Sequence, residues 1–539
     1  MLEQRLFVNA QFHTLWAHQP RVSAVLTRGE RIVAMGSRED LAAHSTGTTE
    51  TIDLDGATVI PGLTDAHIHT ANFAREIAAL DLRGTRDLAD ALERVHSYSD
   101  ACPTTAWVFG GRWDFNAWAV PVQPNRHDLD AVTGGRPAAL PSIDGHTIWA
   151  NSAALAAVGI DASTPNPVGG EIVRDAHGEP TGILREAAGD KLVDIMHSAE
   201  AGDLGTQLIE AQRRLLAVGL TGVHDFDGED ALASYRGMRE SGQLAIRVHK
   251  AIPMMALDQA IDEGRATGDG DVWLRTGPVK LFSDGALGSH SCHMNAPFPG
   301  EDGNTGIEVI PYGDLRELVR RAAGSGIGVA THAIGDRANE LVLDAYADLA
   351  RNPLDPPASM MRPASRLRHR IEHAQHLRPG DIARMAQLGV IPSMQPTHCT
   401  TDIPLASTLL AGRDLASYAW RSLLDAGAIP AFGSDAPVEH PDPMYGIHAA
   451  VTRQNGSHEP DGGWQPGECV TVSEAIEAFT AGAAYASGEE AHKGRLRPGM
   501  LADFTALAAD PFTVATSELR DMPVQSTTVG GVVRYRRNQ

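Results

Sequence analysis

The sequence predicts an α/β fold: a distorted (β/α)8 TIM barrel, a small β-sandwich domain built from both chain ends, and an inserted α/β subdomain. Three observations predict it. Eight short apolar runs alternate with mostly helical stretches through the middle of the chain. Polar residues able to do chemistry fall where several of those runs stop. Both chain ends instead alternate apolar and polar residues at a period of two, broken by glycine and charged turns.

The amino-terminal end carries "RLFVNAQF", "VSAVLTRGERIVAMG" and "TIDLDGATVIPG", and the carboxy-terminal end "GRLRPGMLADFTALA" and "STTVGGVVRYRR". Neither set is long enough for a core of its own, so residues 1–60 and 490–539 are expected to combine. The barrel is expected over 61–80 and 206–489. Its strand candidates are "GATVIPGLTDAHIH", "LTGVHDF", "AIRVHKAI", "GPVKLFSDG", "GIGVATHAIGD", "RHRIEHAQ", "GVIPSMQP" and "IPAFGSDAP". Repeated β-then-α units argue for a parallel sheet, and eight of them for closure. An open doubly wound sheet is the alternative, weakened because no G-x-G-x-x-G follows an early strand. Residues 81–205 are too long for one βα connection and read as an inserted lid subdomain above the barrel mouth.

The 539 residues are 42% hydrophobic and 21% charged, with a formal charge of -23. No block of Lys and Arg is present that would grip nucleic acid or an anionic membrane. Cys102, Cys292, Cys399 and Cys469 are scattered and form no CxxC pair, which argues against a disulfide framework or a thiolate zinc site. No apolar run approaches the roughly 20 residues that span a bilayer, and the start lacks a basic segment followed by an apolar one. A cytoplasmic protein acting on a small molecule is expected, with a homodimer as an open option.

"PGLTDAHIHT" places His67 and His69 two apart at the end of an apolar run. On a strand, positions i and i+2 share a face, so both imidazoles can grip one ion. The fourth, fifth, sixth and eighth strand candidates end in Lys280, His332, His373 and Asp435. In a βα barrel all these ends open on one face, where active sites sit. Any one of these histidines alone would more often be a hydrogen-bonded core residue; together they form a donor set for zinc or a similar divalent ion. Lys280 is the odd member, since an ammonium repels a cation. Buried beside positive charge it can become neutral and take up carbon dioxide as a carbamate, an anion able to bridge two ions roughly 3.5–4 Å apart. The plainer reading of Lys280 is an ion pair with Asp284.

These residues, with "DGHTIWANSAAL", "GEPTGILRE", "VKLFSDGALGS", "THAIGDRA", "RIEHAQ", "FGSDAPVE" and the closing "GRLRPGMLADFTAL", make the chain resemble the metal-dependent amidohydrolase superfamily. The branch is the amidohydrolase 3 type, which includes N-substituted formamide deformylases. The resemblance covers essentially the whole chain and implies the same three-part fold. It implies His67 and His69 as ligands of the more buried metal, carboxylated Lys280 as the bridge, and His332 and His373 as ligands of the second metal. Asp435 is implied as ligand and proton shuttle. It further implies two zinc ions per chain, with Mn2+ or Fe2+ as alternatives, and hydrolysis of a C–N bond by metal-activated hydroxide. Deaminase branches often lack the lysine and carry Glu three residues after the fifth-strand His; that position is Gly335 here. Amide hydrolysis is therefore favoured over deamination, in which Asp336 would have to carry the acid chemistry. A mononuclear deaminase or other hydrolase of the superfamily, and a catalytically silent binding protein on this fold, are the rivals.

Substrate contacts are sought in the insertion and in the loop after the fourth strand. Asp144, His146 and Trp149 stand close together in "DGHTIWANSAAL", where Asn151 and Ser152 read better as a helix cap. Trp113 and Arg185 are further candidates in the insertion, and Asp284 and His290 in the loop.

Overall fold

The computed structural model describes residues 3–42, 44, 48–101, 107–142, 147–167, 170–199, 204–354 and 367–537. The chain forms two compact units, Met1–Thr70 with Leu208–Gln539, and Ala71–Gln207.

In the first unit, eight strands pair in parallel and in chain order: β1 (Leu63–Ile68), β2 (Leu220–Asp225), β3 (Arg247–Pro253), β4 (Leu274–Phe282), β5 (Val329–Ala333), β6 (Arg370–His373), β7 (Ile391–Met394) and β8 (Ala431–Phe432). Helices α1 (Pro396–Leu409) and α2 (Pro443–Thr452) follow β7 and β8. The apolar run read as the first strand divides at Gly62. Its first half belongs to a strand of the end sheet, Glu50–Pro61, and only Leu63–Ile68 enters the barrel. Pro61 offers no N–H to a ladder, and a Cβ on Gly62 would sit 2.3 Å from Thr221 Oγ1.

The barrel interior is polar at its centre. Arg370, fully buried, donates to Glu372 (2.5 Å), Ala66 O (2.6 Å) and Ser393 Oγ (2.6 Å), with His224 Nδ1 at 2.9 Å. One guanidinium thereby ties β1, β2, β6 and β7 together. Its five N–H groups suit that task; an ammonium has only three.

Both chain ends enter one continuously hydrogen-bonded sheet of eight strands. Gln4–His13 runs parallel to Glu50–Pro61, which pairs antiparallel with Phe504–Leu507 and so reaches Val524–Val529 and Val532–Arg536. Phe7 and Phe12 meet Phe504 edge to face at 4.8 and 5.8 Å in its core. The sheet is fastened to the barrel by Arg247 on β3, whose fork closes on Asp503 at 2.6 and 2.8 Å in a buried bidentate pair.

The second unit has its own six-stranded sheet, in the order Gly170–Arg174, Pro180–Glu186, Thr147–Ala150, Ala138–Pro141, Val108–Gly111, Leu80–Asp81. Four antiparallel-linked strands continue into two parallel ones. Among the described residues no helix is long and apolar enough to cross a membrane.

The barrel closes between β8 and β1 through individual bonds. Asp435 N–H donates to His67 O (2.7 Å), and His69 N–H to Ala436 O (2.9 Å). Ser434 N–H and Oγ donate to Asp65 at 3.0 and 2.5 Å. Gly433 lets the two strands approach: a Cβ there would lie 2.4 Å from His67 N and 2.5 Å from Asp65 Oδ1. Gly433→Ala must push the strands apart. It should cost about 1–3 kcal/mol, the range for overpacking, read as a lowered urea midpoint. An unchanged midpoint would show that the seam yields freely.

Candidate metal centre

The residues at the strand ends converge. His67 Nε2 and His69 Nε2 each lie 3.5 Å from Asp435 Oδ1. His67, His373 and Asp435 offer ligand atoms that all lie within 4.8 Å of one another, the spacing of a set that could share an ion. The His332 ring meets His373 at 4.6 Å, and His373 meets His67 at 4.9 Å. Two of these side chains are aimed by unusual backbone. His373 has φ 72° and Asp435 φ 61°, in the left-handed region that side chains other than glycine rarely occupy. Strain of this kind is held at sites where surrounding structure over-determines it.

Each of the four imidazoles spends one nitrogen on a fixed acceptor. His67 Nδ1 faces Glu372 Oε2 at 2.6 Å, and His69 Nδ1 faces Asp227 Oδ1 at 3.1 Å. His332 Nε2 faces Gly285 O at 3.1 Å, and His373 Nδ1 faces Gln395 Oε1 at 2.8 Å. With the N–H directed to the acceptor, the other nitrogen of each ring is left as a lone-pair donor, which is how metal-binding histidines are oriented. Burial, and then the Lys280 charge, lowers His67 to about 4; the same causes in the same order lower His332 to about 3. Burial holds His373 well below its ordinary value. These three rings are therefore neutral at physiological pH, the form that ligates. His69 differs: burial pulls it down, but Asp227 outweighs that and raises it. Burial would raise Asp435, yet the facing His67 and His398 keep it ionised, well below the carboxylate range. Neutral imidazoles around a carboxylate fit a divalent cation.

Lys280 stands on β4 with Nζ 3.4 Å from His67 Nε2 and 4.7 Å from the centroid of the Phe226 ring. Burial lowers it to about 8, against the opposing pull of Glu372 and Asp435. Among the described residues it makes no ion pair, so the pairing with Asp284 does not occur. Asp284 is instead held by the backbone N–H groups of Ile334 (3.1 Å), Gly335 (2.8 Å) and His293 (2.9 Å), with His332 Nε2 at 3.4 Å. Burial lifts it to about 7 despite those bonds.

The remaining sequence candidates are engaged in contacts of their own. Trp113 and Trp149 pack edge to face inside the core of the second unit. Their indole N–H groups are spent on Leu140 O and Asn125 O, both at 2.8 Å. Buried on all sides, neither presents a ring to a substrate. Arg185 is exposed and ion-paired with Glu171 across its own sheet at 2.6 Å. His290 pairs with Glu301 and stacks on Phe298. Asn151 caps the helix Ser152–Val158 by accepting from Ala154 N–H at 2.9 Å. Asp336 accepts from Asn295 and joins no donor group here. Asp144 and His146 lie outside the described residues.

Sequence reasoning missed the acceptors Glu372, Asp227 and Gln395, the seam residue Asp65, and His398. Glu372 stood inside the quoted "RIEHAQ". His398 Nε2 lies 3.1 Å from Asp435 Oδ2 and its Nδ1 3.5 Å from Glu439. Burial works against its charge, but the two carboxylates win and raise it to about 10. It is an imidazolium beside the centre.

The sequence profile of the Amidohydrolase family matches residues 50–535. YtcJ of Bacillus subtilis (strain 168), whose name describes an amidohydrolase, is 32% identical over 535 residues, covering 98% of each chain. The N-substituted formamide deformylase of Arthrobacter pascens is 31% identical over 552 residues, covering 99% of this chain and 98% of its own. Among solved structures, an uncharacterized metal-dependent hydrolase from Pyrococcus furiosus superposes with a TM-score of 0.76 at 26% identity, over 95% of this chain and 100% of that one. A profile match over most of the chain, carried on a barrel whose strand ends gather four imidazoles and a carboxylate, means that this chain belongs to the amidohydrolase family of metal-dependent hydrolases.

Proposed function

We propose that the chain cleaves an amide-type C–N bond, N-acyl or N-formyl, of a small molecule. Two divalent ions, zinc in the first instance, would be held by His67, His69, His332, His373, Asp435 and a carboxylated Lys280. The observation that carries this reading is the common arrangement of the four imidazoles, each with one nitrogen fixed on an acceptor and the other left as a donor. When bound, such ions supply an acidified water and a Lewis acid for the carbonyl oxygen.

The chain's own groups do the rest. Asp435 Oδ1 faces the imidazoles of His67 and His69, while Oδ2 accepts from His398. One oxygen is thus available to a metal and the other can take a proton and return it to the leaving nitrogen. Lys280, lowered to about 8, has a neutral fraction near physiological pH that can react with carbon dioxide, losing a proton and becoming an anion where an ammonium would be repelled.

Support for an acylated nitrogen comes from the Arthrobacter relative, named for action on N-substituted formamides. Support against deaminase-type chemistry comes from Gly335. A Cβ there would lie 2.0 Å from His293 O, so this backbone has no room for the glutamate of that branch.

A panel of N-formyl and N-acetyl amines, assayed with zinc- or manganese-loaded protein, tests the reading, together with metal counted per chain. Two ions and hydrolysis support it; one ion moves the reading to mononuclear chemistry. Asp435→Asn should keep the fold by circular dichroism and most of the metal, yet lower kcat about 10²- to 10⁴-fold, the usual contribution of a general acid–base. Near wild-type turnover would remove Asp435 from proton transfer. Lys280→Ala should lose one or both ions, with formate or acetate partly restoring activity. Full metal content in that variant would exclude a bridging role.

A further inference from the structure

A cleft of about 800 Å3 opens between the start of α1, the segment after β8, α2 and the turn at 455–461. It adjoins the metal centre. Glu439 lines it, held by Thr401 Oγ1 at 2.7 Å and by His398, whose other nitrogen meets Asp435. One imidazole separates the cleft from the carboxylate of the centre.

Arg520 also lines this cleft, with its guanidinium 3.8 Å over the ring of Tyr445. Among the described residues it makes no ion pair and no hydrogen bond. The buried guanidinium groups of Arg247 and Arg370, by contrast, are fully matched. Stacking on the tyrosine fixes the plane of the fork while leaving its edge free. Other polar groups of the wall are also unmet. Thr397 Oγ1 is buried with no hydrogen-bond partner. Asn455 spends its oxygen on the N–H groups of Ser457 and Glu459, which leaves its amide N–H groups to donate.

The acidic residues nearby leave the guanidinium without an ion pair: the half-buried Asp442 feels the charge of Arg520 but accepts from Met444 N–H at 2.9 Å instead. Glu439 is already matched by His398 and Thr401. Glu459 and Asp461 stand on the exposed rim, where water and salt screen them. Their presence disfavours a doubly charged group more than a singly charged one. What the wall lacks is one planar monoanionic acceptor, the shape of a carboxylate that takes two parallel N–H bonds from a guanidinium.

We propose that this cleft is a recognition subsite for a carboxylate carried by the substrate, with Arg520 as its counter-ion and Tyr445 as the platform that orients it. The assignment of the ligand as substrate rests on the metal-centre reading given above; the subsite itself rests on the cleft.

Calorimetric titration of the metal-loaded full chain with 6-acetamidohexanoate, whose carboxylate lies several bonds from the amide, and with its uncharged carboxamide tests the proposal without requiring turnover. The acid should bind about 10- to 100-fold more tightly than the amide, the range for hydrogen bonds to a charged group. In Arg520→Gln that preference should collapse, and in Arg520→Lys, which keeps the charge but not the fork, part of it should remain. Equal affinities in the wild type, tighter binding of the amide, or no binding of either at millimolar concentration overturns the subsite. So does a preference that survives Arg520→Gln, which would place the carboxylate on the metals. Release of acetate is followed separately. An Arg520-dependent preference without hydrolysis would leave the subsite standing and count against amide cleavage.

Discussion

The centre depends on a seam. β8 and β1 meet without a regular ladder, and a single buried carboxylate, Asp65, takes the place of one. It accepts the N–H of His67 and both the N–H and the hydroxyl of Ser434. Burial raises Asp65 to about 7 even against those three bonds, so its position is forced by the fold rather than by a preference for the charge. The consequence is geometric. The backbone of His67 and the backbone of Asp435 are locked to each other at 2.7 Å, and the two side chains they carry need no further search to meet. A site built across the closing point of a barrel gains its precision from the closure itself.

The second constraint is charge balance inside the barrel. Arg370 is a buried cation and would be costly alone. Glu372 answers it. Burial pushes Glu372 up, but Arg370, and after it His67, hold its carboxyl far below the usual range. The same carboxylate then receives His67 Nδ1–H at 2.6 Å. One guanidinium, two positions along β6 from the carboxylate that receives this N–H, therefore decides which nitrogen of His67 faces the centre. Structural stability and ligand orientation share a group here, so a change at either residue should be expected to disturb both.

Most of the fold and the inner set of polar residues were legible in the sequence because they obey simple periodicity. An apolar run that ends in a polar residue is visible without any contact information, and His67, Lys280, His332, His373 and Asp435 all have that form. The supporting residues do not. Glu372 and His373 are neighbours, and on a regular strand they would face opposite ways; the left-handed φ of His373 turns it so that both reach the centre. Asp227 and Gln395 lie just past strand ends, where no periodicity holds. The tryptophans failed in the opposite direction. Trp113 and Trp149 read as candidate substrate contacts because an aromatic beside polar residues reads as a site, whereas their burial within the insertion is a property of packing that composition does not reveal. Arg520 sits far along the chain from every barrel motif, and nothing local marks it as unpaired.

The arrangement of His398 gives the centre a direction. Its two N–H groups point at two carboxylates, Asp435 on the metal-facing side and Glu439 on the cleft side. Without a cation between them these groups would repel, and burial would push one towards protonation. With the imidazolium in place both stay ionised, and Asp435 keeps Oδ2 as an acceptor while Oδ1 faces the imidazoles. A substrate lying between the cleft and the metals would then meet, in order, a guanidinium suited to an anion, a charge-balanced wall, and a carboxylate ready to accept a proton. That order favours molecules whose negative group lies at some distance from the scissile bond, since the His398 ring stands between Asp435 and the cleft that Arg520 lines.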